Sequence, residues 1–464
     1  MTSMGASREK ALKPKETFTV SKKTKLFTFI SVLLLWFFLI FYLFNLEKPT
    51  NFSGLYSGHH RQQTATNGCK DGLVYVYDLP PKFNGDLLRR CENLSMYTNM
   101  CPHVANRGMG QPVQSMGPSW FATHQFLGDL MVHARVESHV CRTNDTGLAT
   151  LFYVPFYGGL HASSVFREKN WGKRDGLGEE LVEYLSEQAM WKRHRGRDHF
   201  VAIGRTSWDF MRDDKGIDFG ANRFLLTPPL ANMWVLTVER HPWHPGRQIG
   251  VPYPSYFHPA EFSEILEWQI KVRQVPRTHL YAFVGGPRPP GLEKAAARAD
   301  IFSQCNISSR CLSLQCRPGA SGCYEPPEVL RALSTAEFCM QPPGDSFTRR
   351  SVFDSILSGC IPVFFSPHTA YTQYQWYLPE QIGGYSVYIP PEKVGRIEEQ
   401  LMRIPKARVA RMRSTVIDLI PRITYARPDA GDPGFQDAID VVLSRLARRV
   451  RAELGPSQES HGQS

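Results

Sequence analysis

The chain has 464 residues, with 54 Lys and Arg against 43 Asp and Glu, and a formal net charge of +11. Seven basic residues against two acidic ones fall in the first 25 positions, and others crowd 403–413 and 445–451. A basic chain is a candidate nucleic-acid binder, but one whose bulk lies in a lumen meets no nucleic acid. The surplus then reads as solvated helix faces or as affinity for acidic glycans and nucleotide sugars.

Taken in chain order, residues 1–25 form a basic tail. Residues 26–44, LFTFISVLLLWFFLIFYLF, are nineteen positions without a charge. At about 1.5 Å per residue they reach about 28 Å, close to the hydrocarbon core of a thin bilayer. The run is too long for a cleaved signal peptide, and no small-x-small site follows it. It is predicted to be a transmembrane signal anchor. The tail carries the positive charge, so it is cytosolic and everything past the anchor is lumenal, a single-pass type II arrangement. All ten cysteines and the four sequons at Asn51, Asn93, Asn144 and Asn306 lie beyond the anchor. An even cysteine count in an oxidising compartment predicts disulfides of undetermined connectivity. Cys305, Cys311, Cys316 and Cys323 lack the tight C-x-x-C knuckles of a structural zinc site.

Residues 45–70 read as a flexible stem. About 400 residues remain, which predicts two domains without internal repeats. The first spans 71–275 and alternates strands (73–77, 150–156, 198–203) with a helix at 176–190, the α/β pattern. His161 falls in the loop after the second strand, His199 inside the third, and Arg205 and Asp209 just past its end. The second domain spans 276–420. A strand at 280–284 runs into Gly285 and Gly286, where a backbone can approach a ligand closely. Residues 338–365, FCMQPPGDSFTRRSVFDSILSGCIPVFF, read as strand, Pro/Gly loop, helix, glycine stop at Gly359, and a buried strand. Ser346, Thr348, Arg349 and Arg350 then stand at a helix N-terminus beyond a strand end, where open α/β sheets bind ligands and where free N–H groups favour an anion. Two cations there oppose the helix dipole unless an anion joins them. The pattern predicts a diphosphate site for a sugar nucleotide. A C-terminal helical return covers 421–453, with an amphipathic helix from 434, and 454–464 form a disordered tail.

At these residues the chain resembles the plant exostosin-type glycosyltransferases (family 47), in the branch of xyloglucan galactosyltransferases. The segments are VYDLPPKFNGDLL (76–88), YVPFYGGLHA (153–162), GRDHFVAIGRTSWDF (196–210), VPYPSYFHP (251–259), YAFVGGPRP (281–289) and 338–365. They run over almost the whole lumenal part. The resemblance implies a Golgi membrane enzyme with a GT-B fold, two Rossmann-like domains facing a cleft, and inverting transfer from a UDP-sugar to a wall polysaccharide. Galactose from UDP-galactose onto xylosyl branches of xyloglucan is the leading expectation. Arabinose, galacturonic acid or a mannan acceptor keep the chemistry and change the name. A complex with other wall glycosyltransferases, a non-catalytic Golgi partner and a lectin are the remaining expectations. No Asp-x-Asp pair occurs, so no metal and no cofactor are expected.

Leaving-group stabilisation needs donors aimed at the diphosphate. Gly285, Ser346, Thr348, Arg349 and Arg350 are the candidates, and the family pattern puts Asp354 on the ribose hydroxyls. An ion pair of Asp354 with Arg350 is the competing reading. Inversion needs a general base on the acceptor side. His161, His199 and Asp209 remain open for it, with Arg205 as an acceptor or phosphate contact or as an ion-pair partner of Asp209. Among the aromatics, Trp120, Trp208, Trp243, Tyr253, Tyr256 and Phe257 are candidates to stack on sugars, against a core role.

Overall fold

Two all-parallel sheets organise the chain. The first contains β1 (Leu73–Val76), β2 (Arg142–Thr143), β3 (Ala149–Val154), β4 (His199–Thr206), β5 (Trp234–Glu239) and β6 (Gln248–Gly250), in the spatial order β2-β1-β3-β4-β5-β6. The second contains β7 (His279–Gly285), β8 (Cys311–Gln315), β9 (Ala336–Gln341), β10 (Ile361–Phe364) and β11 (Val387–Tyr388), in the order β11-β10-β9-β7-β8. Numbered from its own first strand, the second sheet runs 2-1-3-4-5, as do the first five strands of the first sheet. The computed structural model describes residues 69–213, 220–289, 291–316, 321–323 and 325–455. The predicted cytosolic tail, anchor and most of the stem, with Asn51, lie outside those residues, as do the last nine residues. Among the described residues no helix is long and apolar enough to cross a membrane.

The helices that matter for the site are α1 (Gly128–Glu137), α2 (Gly158–Ser164), α3 (Trp171–Glu187), α4 (Phe262–Gln274), α5 (Ala297–Ile307), α6 (Pro326–Ser334), α7 (Ser351–Leu357), α8 (Lys406–Asp418) and α9 (Ala438–Leu454). The predicted helix at 176–190 is α3, which starts five residues earlier, capped by the Asn170 side chain on the Lys173 amide. The predicted C-terminal helix starts later, at α9. There Asp437 accepts from the amides of Ile439 and Asp440, and Asp440 returns the bond to the Asp437 amide. His161 is not in a loop but in α2, because the chain re-enters a helix directly after β3.

Strands β3, β4, β9 and β10 are buried almost throughout, as both-face burial by flanking helices requires. One hydrophobic cluster runs from Val74 and Leu151 of the first sheet through Phe338 and Phe364 of the second to Leu446 and Val450 of α9. Helix α9 closes back onto the first half: buried Arg135 of α1 pairs with buried Asp437 at 2.8 Å. The ten cysteines form five disulfides, 69–141, 91–101, 305–311, 316–323 and 339–360. Gly359 ends α7 at φ +61°, and a Cβ there would lie 2.4 Å from Val272 Cγ1, so only glycine turns this corner.

Candidate functional site

In the second sheet β7 and β9 are neighbours, with β8 on one side and β10 on the other. The strand order therefore reverses between them, and the crevice beyond their C-terminal ends is the place where such sheets take ligands. Residues 285–288 leave β7 and residues 342–350 leave β9. Buried Arg298 of α5 ties the two loops together. Its Nε donates to the Pro343 carbonyl at 2.8 Å, Nη1 to the Gly286 carbonyl at 2.7 Å and Nη2 to the Pro342 carbonyl at 3.3 Å. Burial, with Arg349 and Arg288 nearby, pushes the Arg298 pKa down to about 9. Gly285 lies against this staple, and a Cβ on it would stand 2.8 Å from the Phe283 ring and 3.1 Å from Arg298 Nη1.

Arg349 lies in the loop that leaves β9, just ahead of α7. Its Nη1 donates to the Ser346 hydroxyl at 3.2 Å and the Thr348 carbonyl at 2.8 Å. Nε and Nη2 are buried without a hydrogen-bond partner. The guanidinium packs against Gly344 through Nη2, where a Cβ would fall 1.7 Å from that nitrogen. Burial and the neighbouring Arg288 lower its pKa. Arg288 is itself held by Asp345 at 2.9 Å. A buried cation with unused donors beside a second arginine is costly without an anion.

The rest of the predicted anion loop is already engaged. Glu239, fully buried at the end of β5, accepts from the Thr348 amide at 2.7 Å, the Thr348 hydroxyl at 2.6 Å and the Phe347 amide at 3.3 Å. The free N–H groups before α7 therefore meet the chain's own carboxylate. Tyr253 adds a bond to Thr348 Oγ1 at 3.0 Å, and as the threonine proton goes to Glu239, the phenol donates.

Arg349 and Arg350 diverge. Arg350 reaches across to the first half, donating to the Thr123 carbonyl at 2.6 Å with its guanidinium 3.6 Å from the Tyr256 ring centre. Its Nε lies 3.4 Å from Asp354, and its Nε and Nη2, like those of Arg349, are buried without a hydrogen-bond partner. The other Asp354 oxygen accepts from Ser255 at 2.6 Å, and burial raises the carboxyl's pKa against the pull of Arg350. The ion-pair reading of Asp354 is thus present, and both of its oxygens face protein partners.

On the first sheet, β4 runs on to Thr206, so Arg205 lies inside the strand rather than past its end. Here Gly128 of α1 and Gly159 of α2 meet the strand: a Cβ on Gly159 would be 2.9 Å from the Gly204 nitrogen, and one on Gly204 2.9 Å from the Gly128 nitrogen. Asp129 caps α2 through the Gly159 and Leu160 amides, and burial raises its pKa to about 7. The junction sets Arg205, whose Nε donates to Asp209 at 2.8 Å and Nη1 to Ser163 at 2.8 Å. The Thr206 hydroxyl donates to the same Asp209 oxygen at 3.3 Å. The second Asp209 oxygen has no partner among the described residues, and the side chain keeps 15% exposure. Burial, Glu239 and Asp209 all raise the pKa of Tyr253.

The two histidines sit elsewhere. His199 is fully buried, with one ring nitrogen on Tyr77 at 2.6 Å and the other on Asp198 at 2.7 Å, and its ring stacked on Phe152. Neither nitrogen is left for a substrate. His161 is buried; that pushes its pKa down to about 4, with only Asp175 of α3 opposing. Trp120, Tyr253, Tyr256 and Phe257 are core, whereas Trp243 is 57% exposed beside Phe347 and His368. Asn93, Asn144 and Asn306 are exposed.

Sequence reasoning missed Glu239 and Arg298. The run Trp234 to Glu239 carries the strand signal, β-branched and aromatic residues ending on a charge at a strand terminus. Arg298 had no local signal, since its partners are carbonyls 12 and 44–45 residues away. His124 was missed too. It lies next to Thr123, and burial with His103, Arg350 and Arg205 nearby lowers its pKa to about 3.

Three comparisons bear on this arrangement. The Exostosin GT47 domain matches residues 68–405. "Probable xyloglucan galactosyltransferase GT17" of Arabidopsis thaliana is 55% identical over 82% of this chain and 83% of that protein. "Xyloglucan galactosyltransferase MUR3" and "Xyloglucan-specific galacturonosyltransferase 1" of the same plant are 42% and 38% identical over 82% and 85% of this chain, which spans 63% and 59% of their lengths. Among solved structures, Arabidopsis thaliana UGT89C1 aligns with 66% of this chain and 74% of its own at 10% identity and a TM-score of 0.30, too low to carry an argument.

Proposed function

Because the chain belongs to the exostosin GT47 family, we propose that it is a glycosyltransferase acting on xyloglucan, moving galactose from UDP-galactose with inversion onto a xylosyl side chain. Transfer to xyloglucan is the activity that the relatives' names carry. Galacturonic acid is the second donor reading, because a relative at 38% identity bears that name. Two parallel sheets of one strand order, with their C-terminal ends meeting at Glu239 and Thr348, support a GT-B type architecture.

The observation that carries the donor site is Arg349, a buried guanidinium with two unused nitrogens at the reversal point of the second sheet. A diphosphate supplies the missing acceptors, with Ser346 and Arg288 as further donors and the Gly285–Gly286 backbone close by. Thr348, Arg350 and Asp354 act one step back. They hold the loop on Glu239 and the helix on Thr123 and Ser255.

Asp209 is the base of this reading. Its free oxygen takes the proton of the acceptor hydroxyl as the acceptor oxygen bonds to the sugar's anomeric carbon. The bond from that carbon to phosphate breaks, and its electron pair leaves with UDP. Arg205 and Thr206 orient the carboxylate. No metal is assigned, since the arginines supply the charge.

The five disulfides and three exposed sequons support a lumenal, type II Golgi placement. The test is transfer by the full-length protein from a panel of UDP-sugars to xyloglucan oligosaccharides, with and without EDTA. Product from UDP-galactose that EDTA leaves unchanged supports the reading. Product from another donor alone replaces the sugar, and no product from any donor overturns it.

A further inference from the structure

Four aromatic side chains leave the C-terminal ends of four strands, two from each sheet, and meet. Trp208 stands in the turn after β4, Trp243 after β5, Phe347 after β9 and His368 after β10. The Trp243 ring centre lies 6.1 Å from that of Trp208, 5.9 Å from Phe347 and 5.5 Å from His368. The C-terminal ends of parallel strands are where such sheets take ligands. Trp208 precedes Asp209 in sequence, and its indole N–H donates at 3.1 Å to Glu239, the carboxylate that holds the Thr348 loop. The cluster thus joins the turn of the proposed base to the loop of the donor site. Trp243 is its exposed member, at 57%. The loop that carries Trp243 is braced. His241 Nδ1 accepts from the amides of Trp243 and His244 at 3.3 and 2.9 Å, and the Arg240 amide donates to Gln373 Oε1 at 2.8 Å.

We propose that Trp243 is the platform on which the glucan backbone of the acceptor lies, stacked against the C–H face of a backbone glucose beyond the sugar that receives the transfer. The inference rests on the acceptor reading given above and adds the site for the rest of the polymer. Three features carry it. An indole left more than half exposed at a ligand-binding edge keeps apolar surface in water, which a partner's apolar face removes. Single aromatics scattered on a surface need no explanation, but this one is set among rings from both sheets. The platform is also open. A nucleobase sits in a slot that buries most of it and fixes its polar groups, whereas a polymer crosses open surface and offers one apolar ring face after another. Finally, the ring is held before binding. Pro242 and Pro245 stiffen its loop and His241 ties the turn, so stacking on it orders little protein.

The experiment is steady-state transfer by the full-length protein to a xylosylated glucan oligosaccharide and to its end-to-end dimer, with calorimetric binding of both oligosaccharides and of UDP. It is repeated for Trp243→Phe and Trp243→Leu. Both keep apolar bulk against Phe347 and His368, and only phenylalanine keeps a flat ring. The expected result is a lower acceptor KM for the dimer than for the single unit in the unaltered protein. Trp243→Leu raises the KM of the dimer about tenfold, the scale of one aromatic contact, and erases the advantage of length. Trp243→Phe keeps most of that advantage. The kcat, UDP affinity and unfolding midpoint stay unchanged in both. An unchanged dimer KM in Trp243→Leu overturns the proposal, and so does an equal rise in the two variants. Weakened UDP affinity in Trp243→Leu also overturns it, because the ring then serves the nucleobase. The two readings fail separately. An unaltered protein that binds the dimer through Trp243 but transfers nothing from any UDP-sugar sinks the activity and leaves the platform standing. Normal transfer with an acceptor KM indifferent to Trp243 does the reverse.

Discussion

Glu239 and Thr348 are 109 residues apart in sequence and share two short hydrogen bonds, from the threonine amide and from its hydroxyl to one carboxylate oxygen. The last residue of a strand in the first sheet thus sets the loop that leads into α7 in the second. Hydrogen bonds to a charged acceptor are worth about 1.5–3 kcal/mol each, and this carboxylate is fully buried.

The expected consequence is that Glu239→Gln couples stability to donor binding. Glutamine keeps the shape, but in either orientation one former acceptor becomes an NH₂ facing N–H donors from Thr348 or from Phe347 and Trp208. A loss of about 1–3 kcal/mol follows. The check is a lowered midpoint in denaturant with UDP binding weakened alongside it; an unchanged midpoint and unchanged UDP affinity would remove Glu239 from the account.

Arg349 and Arg350 are neighbours in sequence with opposite expectations. Arg349→Ala removes a buried cation whose Nε and Nη2 have no partner, so the free protein keeps its stability or gains some. Transfer falls by about 10²–10³-fold, the scale of one lost oxyanion donor. Arg350→Ala strands Asp354 and the Thr123 carbonyl and costs about 3–5 kcal/mol, as breaking a buried pair does. Equilibrium unfolding and UDP calorimetry on both variants separate the two. Equal stability loss in both would refute the assignment.

How far the sequence went is visible in this pair. It placed both arginines beyond a strand and ahead of α7, because the proline-glycine loop, the helical period and Gly359 are local signals. It also placed the strands flanking that helix. It did not separate a side chain that faces the crevice from one that crosses to Thr123, since the difference lies in partners 227 residues away. Glu239 filled the site that helix-terminus reasoning left for phosphate, and a carboxylate arriving from another sheet leaves no trace in local pattern. Likewise neither partner of His199, Asp198 beside it or Tyr77 across the sheet, was read from the sequence.

Acid should weaken the fold. Burial lowers the pKa of His124 to about 3 and of His133, His161 and His258 to about 4, against about 6.5 in an unfolded chain. Between those values the unfolded state binds protons that the folded state does not, so stability is full above about pH 6.5 and falls as the pH drops toward 4. Each such group contributes at most about 3–5 kcal/mol by that linkage. Asp129 works in the other direction: its carboxyl is raised to about 7, so it loses stability as the pH rises from about 4 to 7. Denaturant midpoints from pH 4 to 8 should therefore rise, and His161→Gln should flatten the slope. A flat profile in the unaltered protein would contradict the buried neutral histidines.

The choice of base can be decided by three substitutions read together. Asp209 has an oxygen without a partner among the described residues and is oriented by Arg205 and Thr206. Asp209→Asn keeps the hydrogen-bonding shape but cannot take a proton. It should lower kcat by about 10²–10⁴-fold with the donor KM little changed, the range for a lost general base. His199→Gln removes a ring that Tyr77 and Asp198 both use, so it should lower the unfolding midpoint and leave kcat of the folded fraction near normal. His161→Gln, on a buried side chain of α2, should leave both kcat and KM near their starting values. Near-normal kcat in Asp209→Asn, or a kcat collapse in either folded histidine variant, would move the base away from Asp209 and with it the position of the acceptor hydroxyl.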